Sequence, residues 1–381
     1  MTKKLPLQKH LFDIPDEVTF LNHAFFAPQL RAMTEAGLQS VRAKSSPWNY
    51  TPQHWFEDGE TLRGLIAQII GVASDDMAII PSVSYGMAIA AKNITVRSDQ
   101  NIVVLHEEFP SNYYAWYYKA KDCGASLRVV HRTNQLNWTE AICENIDEKT
   151  AVVAVPNCHW TDGARIDLER VSQKARSAEA ALVIDASQSL GAFPIPMEKI
   201  RPDFLISVGY KWLLGPYSLG YLYVDPKWQE GTPIEYSWLN RFGSENFSRL
   251  IEYTDKFRQG ARRYDMGEFS NFINVPMAIA GLRQIITWEV SAISESLLDL
   301  TSYAAQYAHS LGWVTISDSE RIPHLLGIRH ATSMPSDIGQ KLSENKIYVS
   351  IRGNAIRVAP YLYNQKSDMD RLFEVLKVYS R

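Results

Sequence analysis

Three short runs rich in β-branched residues leave few folds open to this chain: 101–105 (NIVVL), 151–155 (AVVAV) and 181–184 (ALVI). Each is apolar at successive positions and too short for a helix that buries one stripe, so each reads as a buried strand. Each ends in polar or glycine residues and leads into an amphipathic stretch, the signature of strands alternating with helices in a largely parallel sheet. In open α/β sheets ligands collect beyond the carboxyl ends of the strands. Chemistry is therefore expected at 106–112, 156–163 and 185–189.

The chain has 381 residues, room for roughly two to three units of about 150 residues. Segments 276–288 and 291–311 read as helices, and the second is long enough to join two domains. HLLGIRH, a helical stretch around 338–345, IYVSI, AIRVAP and a last helix over 366–379 compose a small α+β domain. We expect an N-terminal arm at 1–15, a large domain at 16–257, and a linker helix with the small domain at 258–381.

A formal charge of -3 and the lack of dense lysine or arginine runs exclude nucleic acid as a partner on electrostatic grounds. Cys123, Cys143 and Cys158 are too few and too irregularly spaced for a disulfide framework or a metal site. No apolar h-region follows the basic start, and no run approaches 18 apolar residues, so a cytoplasmic protein without a membrane partner is expected.

Three segments carry the chemistry. In ALVIDASQSLGAFPI, Asp185 stands directly after a strand. It is either a cap for the following turn or a partner for a cofactor's pyridinium nitrogen, which must stay protonated if the ring is to accept electrons. In FLISVGYKWLLGPYSLGYLYV, Lys211 lies between two glycine-containing turns among aromatic neighbours. A lone lysine is ordinarily solvated, but desolvation disfavours the ammonium, and a buried amine becomes the nucleophile that imine chemistry requires. In IIPSVSYGMAIAAKNI, Ser82, Ser84 and Gly86 run into a helical pattern. That placement suits either a simple cap or an anion at a helix amino terminus.

The order of these segments and the spacing from Asp185 to Lys211 resemble the class V aminotransferase family of pyridoxal 5'-phosphate (PLP) enzymes, which includes cysteine desulfurases, kynureninases and epimerase-like proteins. The resemblance runs from FLNHAFFAP to the C-terminal domain. It implies an α/β chain of the PLP-dependent transferase fold type I, with a mainly parallel seven-stranded sheet and a smaller C-terminal α+β domain. By this resemblance Lys211 is the Schiff-base lysine, Tyr210 a phosphate ligand and Asp185 the pyridinium partner. Asn157, in VPNCHW, and Gln188 are placed to hydrogen-bond the ring hydroxyl. Phe109, in HEEFPSN, stacks on the ring, and Val83 and Ser84 match the phosphate-cradling turn. AIRVAPYLYN is similar to the kynureninase segment whose arginine grips the substrate carboxylate, which makes Arg357 the anchor. Asn22, His23 and His159 are further candidates for substrate contact.

The family implies a homodimer in which a glycine loop of one subunit reaches the other's phosphate. RRYDMGEFSN resembles that loop, with Gly267 and Glu268 at its tip, although desulfurases often carry threonine where Glu268 stands. The implied substrate is a small amino acid activated at Cα. Desulfurases use a small-domain cysteine, and this chain has none after Cys158. Transamination is therefore the first expectation, followed by a carbon–sulfur or carbon–carbon lyase or an epimerase, with a catalytically silent PLP-binding protein as the non-enzymatic alternative.

Overall fold

In the computed structural model, which describes residues 4–132 and 137–380, the runs above are central strands of a seven-stranded sheet. Its members are β1 (Met77–Ile80), β2 (Asn101–Leu105), β3 (Ser126–Val130), β4 (Thr150–Pro156), β5 (Ala181–Asp185), β6 (Phe204–Val208) and β7 (Gly220–Val224). They lie in the order β1-β7-β6-β5-β4-β2-β3. β7 alone runs against the direction of the other six. Successive side chains alternate between two separate cores. Ile102, Val104, Val152 and Ala154 enter one, and Val103, Leu105, Val153 and Val155 enter the other. Both faces are covered, so neither face could be polar.

Four helices of the large unit are α1 (Glu57–Ile70), α2 (Val83–Asn93), α3 (Pro110–Cys123) and α4 (Asn274–Trp288), of which α2 and α3 start just beyond the carboxyl ends of β1 and β2. Each of the middle two has a local reason to start where it does. Ser82 caps α2 by accepting from the Tyr85 amide, and α3 opens on Pro110, whose missing N–H costs nothing at a first position. Gly124, at φ 71°, closes α3.

Glu289, at φ 66°, separates α4 from α5 (Val290–Ser310). Ile293 and Leu297 of α5 belong to the large core, whereas Ala304, Ala305 and Ala308 belong to the small one. The long helix thus joins the two units. The small domain carries β8 (Val314–Thr315), β9 (Leu326–Arg329), β10 (Ser350–Arg352) and β11 (Ala355–Val358), ordered β10-β11-β9-β8 and antiparallel throughout.

Packing crosses the segment edges drawn from sequence. Thr19–Phe20 pairs in parallel with Ile347–Tyr348, and Leu21 is buried in the small core. In the other direction, Ala261 and Tyr264 are buried against the large sheet, and α4 contributes Val275, Ala278, Leu282 and Ile285 to the large core. An ion pair explains the second case. Arg63 of α1 and Asp265, both fully buried, meet at 2.7 Å, and Asp265 also accepts the Ile79 amide of β1 at 2.7 Å. Among the described residues no helix is long and apolar enough to cross a membrane.

Breaking this pair leaves fully buried Arg63 with only the partly exposed Glu60, at 3.4 Å, as counter-charge among the described residues. Asp265→Ala is expected to lower stability by about 3–5 kcal/mol, read as a drop in the urea midpoint of the cofactor-free protein. An unchanged midpoint would show that the pair contributes nothing to holding this segment.

Candidate active site

Strands β5 and β6 are parallel neighbours, with Asp185 opposite Ile206, so their carboxyl ends open on the same edge. The chain leaves β6 through a loop fastened at both ends. The Gly215 amide donates to the Gly209 carbonyl at 2.7 Å, and the Gly209 amide donates to that of Leu219 at 2.8 Å. A Cβ at Gly209 would lie 2.8 Å from the Leu219 carbonyl oxygen, which explains the glycine. Lys211 sits inside this loop. Beneath it, fully buried Trp212 packs edge-on to His324 at 4.2 Å and tilted to His23 at 4.7 Å.

Above the strand ends lies a cavity of about 360 Å³, lined by the start of α2 (Ser82, Val83, Ser84), by Glu108, Phe109 and Ser111, by Cys158 and Trp160, and by Asp185, Ser187, Gln188, Tyr210, Lys211 and Tyr217. Lys211 is 7% exposed and Asp185 6%. Burial lowers the Lys211 amine to about 8, against the opposing pull of Asp185. It raises Asp185, even though the Ser187 amide donates to the carboxylate at 2.9 Å and Lys211 attracts it. Desolvation outweighs attraction at both groups. The Lys211 nitrogen also lies 5.4 Å from the Phe109 ring centre and 5.7 Å from that of Tyr210.

Seven of the residues named from sequence line this cavity together: Val83, Ser84, Phe109, Asp185, Gln188, Tyr210 and Lys211. Asn157 stands between two lining residues, Pro156 and Cys158, and its Oδ1 is buried without a partner. Gln188 has less freedom than expected, since its Nε2 donates to the Ala24 carbonyl at 3.1 Å and its Oε1 accepts from Trp212 at 3.0 Å. Arg357 stands against the cavity wall, donating to the Trp160 carbonyl at 2.9 Å. Asn22 reaches it indirectly. Ser350 donates to Asn22 Oδ1 at 2.8 Å, and Arg357 donates to Ser350 at 3.5 Å.

Three candidates lie elsewhere. His159 is a satisfied packing histidine and not a cavity residue. It stacks on Trp138 at 5.0 Å, and its two nitrogens meet Thr161 and the His106 carbonyl at 2.7 and 3.2 Å. His23 is fully buried, stacked on Tyr361 at 4.0 Å and bonded to Tyr363 at 3.1 Å. Burial, with His324 nearby, lowers its pKa to about 3, so it stays neutral. Gly267 does not line the cavity of its own chain, and its amide donates to Glu235 at 3.2 Å. Glu268 is exposed, at φ 60°.

Sequence reasoning missed Glu108. It lines the cavity at 7% exposure, and burial followed by Asp185 raises its pKa to about 8. One oxygen accepts the Phe109 amide at 2.7 Å and the other has no partner. Nothing in HEEF separates this carboxylate from the exposed Glu107 beside it. Cys158 is 1% exposed, and burial pushes its thiol far up, so it stays protonated.

The residues fit PLP. A buried amine, a buried acid lacking a full counter-charge, the orphaned Asn157 oxygen and a helix start with free first-turn amides match its aldehyde, ring nitrogen, hydroxyl and phosphate.

Comparison with known proteins agrees. The Aminotransferase class-V family model matches residues 50–372. The "uncharacterized aminotransferase YcbU" of Bacillus subtilis is 27% identical over 84% of each chain. The kynureninase of Geobacillus thermodenitrificans is 22% identical over 87% of this chain and 80% of its own. Among solved structures, a C-DES variant with glycine covalently linked to its PLP cofactor superposes with a TM-score of 0.87, covering 97% of this chain and 99% of that one at 17% identity. An apo cysteine desulfurase from Thermococcus onnurineus NA1 superposes at 0.81 over 99% of both chains, also at 17% identity. The chain therefore belongs to the class V aminotransferases, a family of PLP-dependent enzymes with the fold type I architecture.

Proposed function

We propose that the protein is an aminotransferase that exchanges the amino group of a small amino acid with a keto acid, using Lys211 as its catalytic base. Bound PLP supplies an electron sink that acidifies Cα. The remaining work falls to side chains. Asp185 holds the proton on the ring nitrogen, and that cation gives the buried carboxylate the counter-charge it lacks. Val83 and Ser84 offer first-turn amides and a hydroxyl to the phosphate, and Tyr210 its phenol. Asn157 Oδ1, buried without a partner, would accept from the ring hydroxyl, and Phe109 of the cavity lining would pack against the ring. Arg357 fixes the substrate carboxylate, so that the bond to be broken is set by a planar, directional donor. With its amine at about 8, Lys211 takes and returns a proton at Cα near neutral pH.

The state of Cys158 favours transamination over desulfuration. It is the last cysteine in the chain, and its thiol is kept protonated by burial, so no thiolate stands ready to accept sulfur. The kynureninase-like AIRVAP segment makes a carbon–carbon lyase the second reading. We further propose that the active unit is a homodimer, with the Gly267 loop turned toward a second copy. Tyr217, Tyr236, Phe242 and Tyr253 are 62%, 64%, 67% and 97% exposed, aromatic surface of the kind that association covers.

Loaded protein incubated with ¹⁵N-labelled amino acids and unlabelled keto acids is expected to pass label to the keto acid. Release of pyruvate, alanine or ammonia without exchange would replace this reading with a lyase. Failure of every amino acid to alter the cofactor's visible spectrum would leave a silent binding protein. Light scattering is expected to give twice the 43.3 kDa chain mass, and a monomer at working concentration would overturn the dimer.

A further inference from the structure

The small sheet turns a row of arginines toward the large domain. In its register Ser350 and Gly327 flank Arg357, and Arg352 and Arg329 flank Ala355. Alternation along each strand therefore puts Arg329, Arg352 and Arg357 on one face. Arg329 is neutralised, bonded at 2.6 Å to Asp162, which also takes Arg132 at 2.9 Å. Among the described residues, neither Arg352 nor Arg357 forms a salt bridge. The undescribed positions 1–3, 133–136 and 381 include no Asp or Glu.

Both unpaired guanidinium groups meet the same cavity-lining residue. Arg357 donates to the Trp160 carbonyl at 2.9 Å, and the Arg352 guanidinium carbon lies 5.6 Å from the Trp160 ring centre. The Nε of each is buried without a partner. Burial, and then the charge of Arg352, lowers Arg357 to about 9, and burial lowers Arg352 as well. Both also depress Lys211. Arg357 is buried, and Arg352 is partly buried, with one Nη donating to the Ile351 carbonyl at 2.9 Å; two like charges against one wall residue form a site that lacks its anions.

One substrate carboxylate satisfies Arg357, on the reading of that residue given above, and leaves the second cation unmatched. We propose that the substrate carries a further carboxylate on its side chain, held by Arg352 against Trp160, making it an α-amino dicarboxylic acid of the size of aspartate or glutamate. A neutral side chain would leave the Arg352 charge unpaired at the site, so the acid is distinguished from its amide by charge alone, at equal shape.

Titration of the cofactor's visible spectrum with L-aspartate, L-glutamate and their amides tests this without turnover. The acids are expected to bind at least about tenfold more tightly than the amides, and Arg352→Gln to bring that ratio near one. In cofactor-free protein, succinate is expected to raise the melting temperature more than propionate, and the variant to erase the difference. Equal affinity for acid and amide in the unaltered protein would overturn the proposal. So would an Arg352→Gln protein that loses as much affinity for L-alanine as for L-aspartate, since both arginines would then grip one carboxylate. Amino transfer from asparagine and aspartate alike retains the aminotransferase and removes the dicarboxylate. Selective binding of dicarboxylates with no transfer does the reverse.

Discussion

An ε-amine and a carboxylate, each less than a tenth exposed, are held at the carboxyl ends of neighbouring parallel strands. Water would solvate both groups better than the protein does, and their mutual attraction does not make up the difference, because burial lowers the one and raises the other. Such a pair persists only where the surrounding structure leaves it nowhere else to go. Here the loop from Gly209 to Gly215 is fastened by two backbone hydrogen bonds. Behind it stand Trp212, His324, His23 and Tyr361, aromatic and almost fully buried.

The cavity is built as a dipole. Donors and cations come from the start of α2 and from Lys211, with Arg357 and Arg352 of the small sheet against the wall residue Trp160, while acceptors come from Asp185 and Glu108 in the lining and from Asn157 beside it. A ligand with a phosphate, a protonated ring nitrogen and a hydroxyl answers most of these groups at once. Under the proposed function Arg357 and Arg352 are left for the substrate, and both come from the small sheet. The junction itself is charged, with Asp162 of the large domain bridging Arg132 and Arg329 across it.

Much of this was legible in the residues. Continuous β-branched runs announced buried strands because both faces of the sheet are covered, and the loop motifs after them announced Asp185 and Lys211. Edges were harder to read. Thr19–Phe20 joins a strand more than 300 residues away, and Asp265 is drawn to the large sheet by Arg63. Neither pairing leaves a local trace. Histidines were the weakest point: whether His159 or His23 is free depends on Trp138, Tyr361 and Tyr363 closing around them. Glu108 and Arg352 escaped for a similar reason, since depth in the fold, not residue type, separates Glu108 from the exposed Glu107, and strand register puts Arg352 on the face of Arg357.

Borohydride reduction of the PLP-loaded protein, followed by peptide mass mapping, asks most directly whether the buried amine is the cofactor's attachment point. The account predicts the pyridoxyl mass on Lys211 alone, and its disappearance in Lys211→Ala. A label fixed on another lysine, or no label on a protein that has turned yellow, would contradict it.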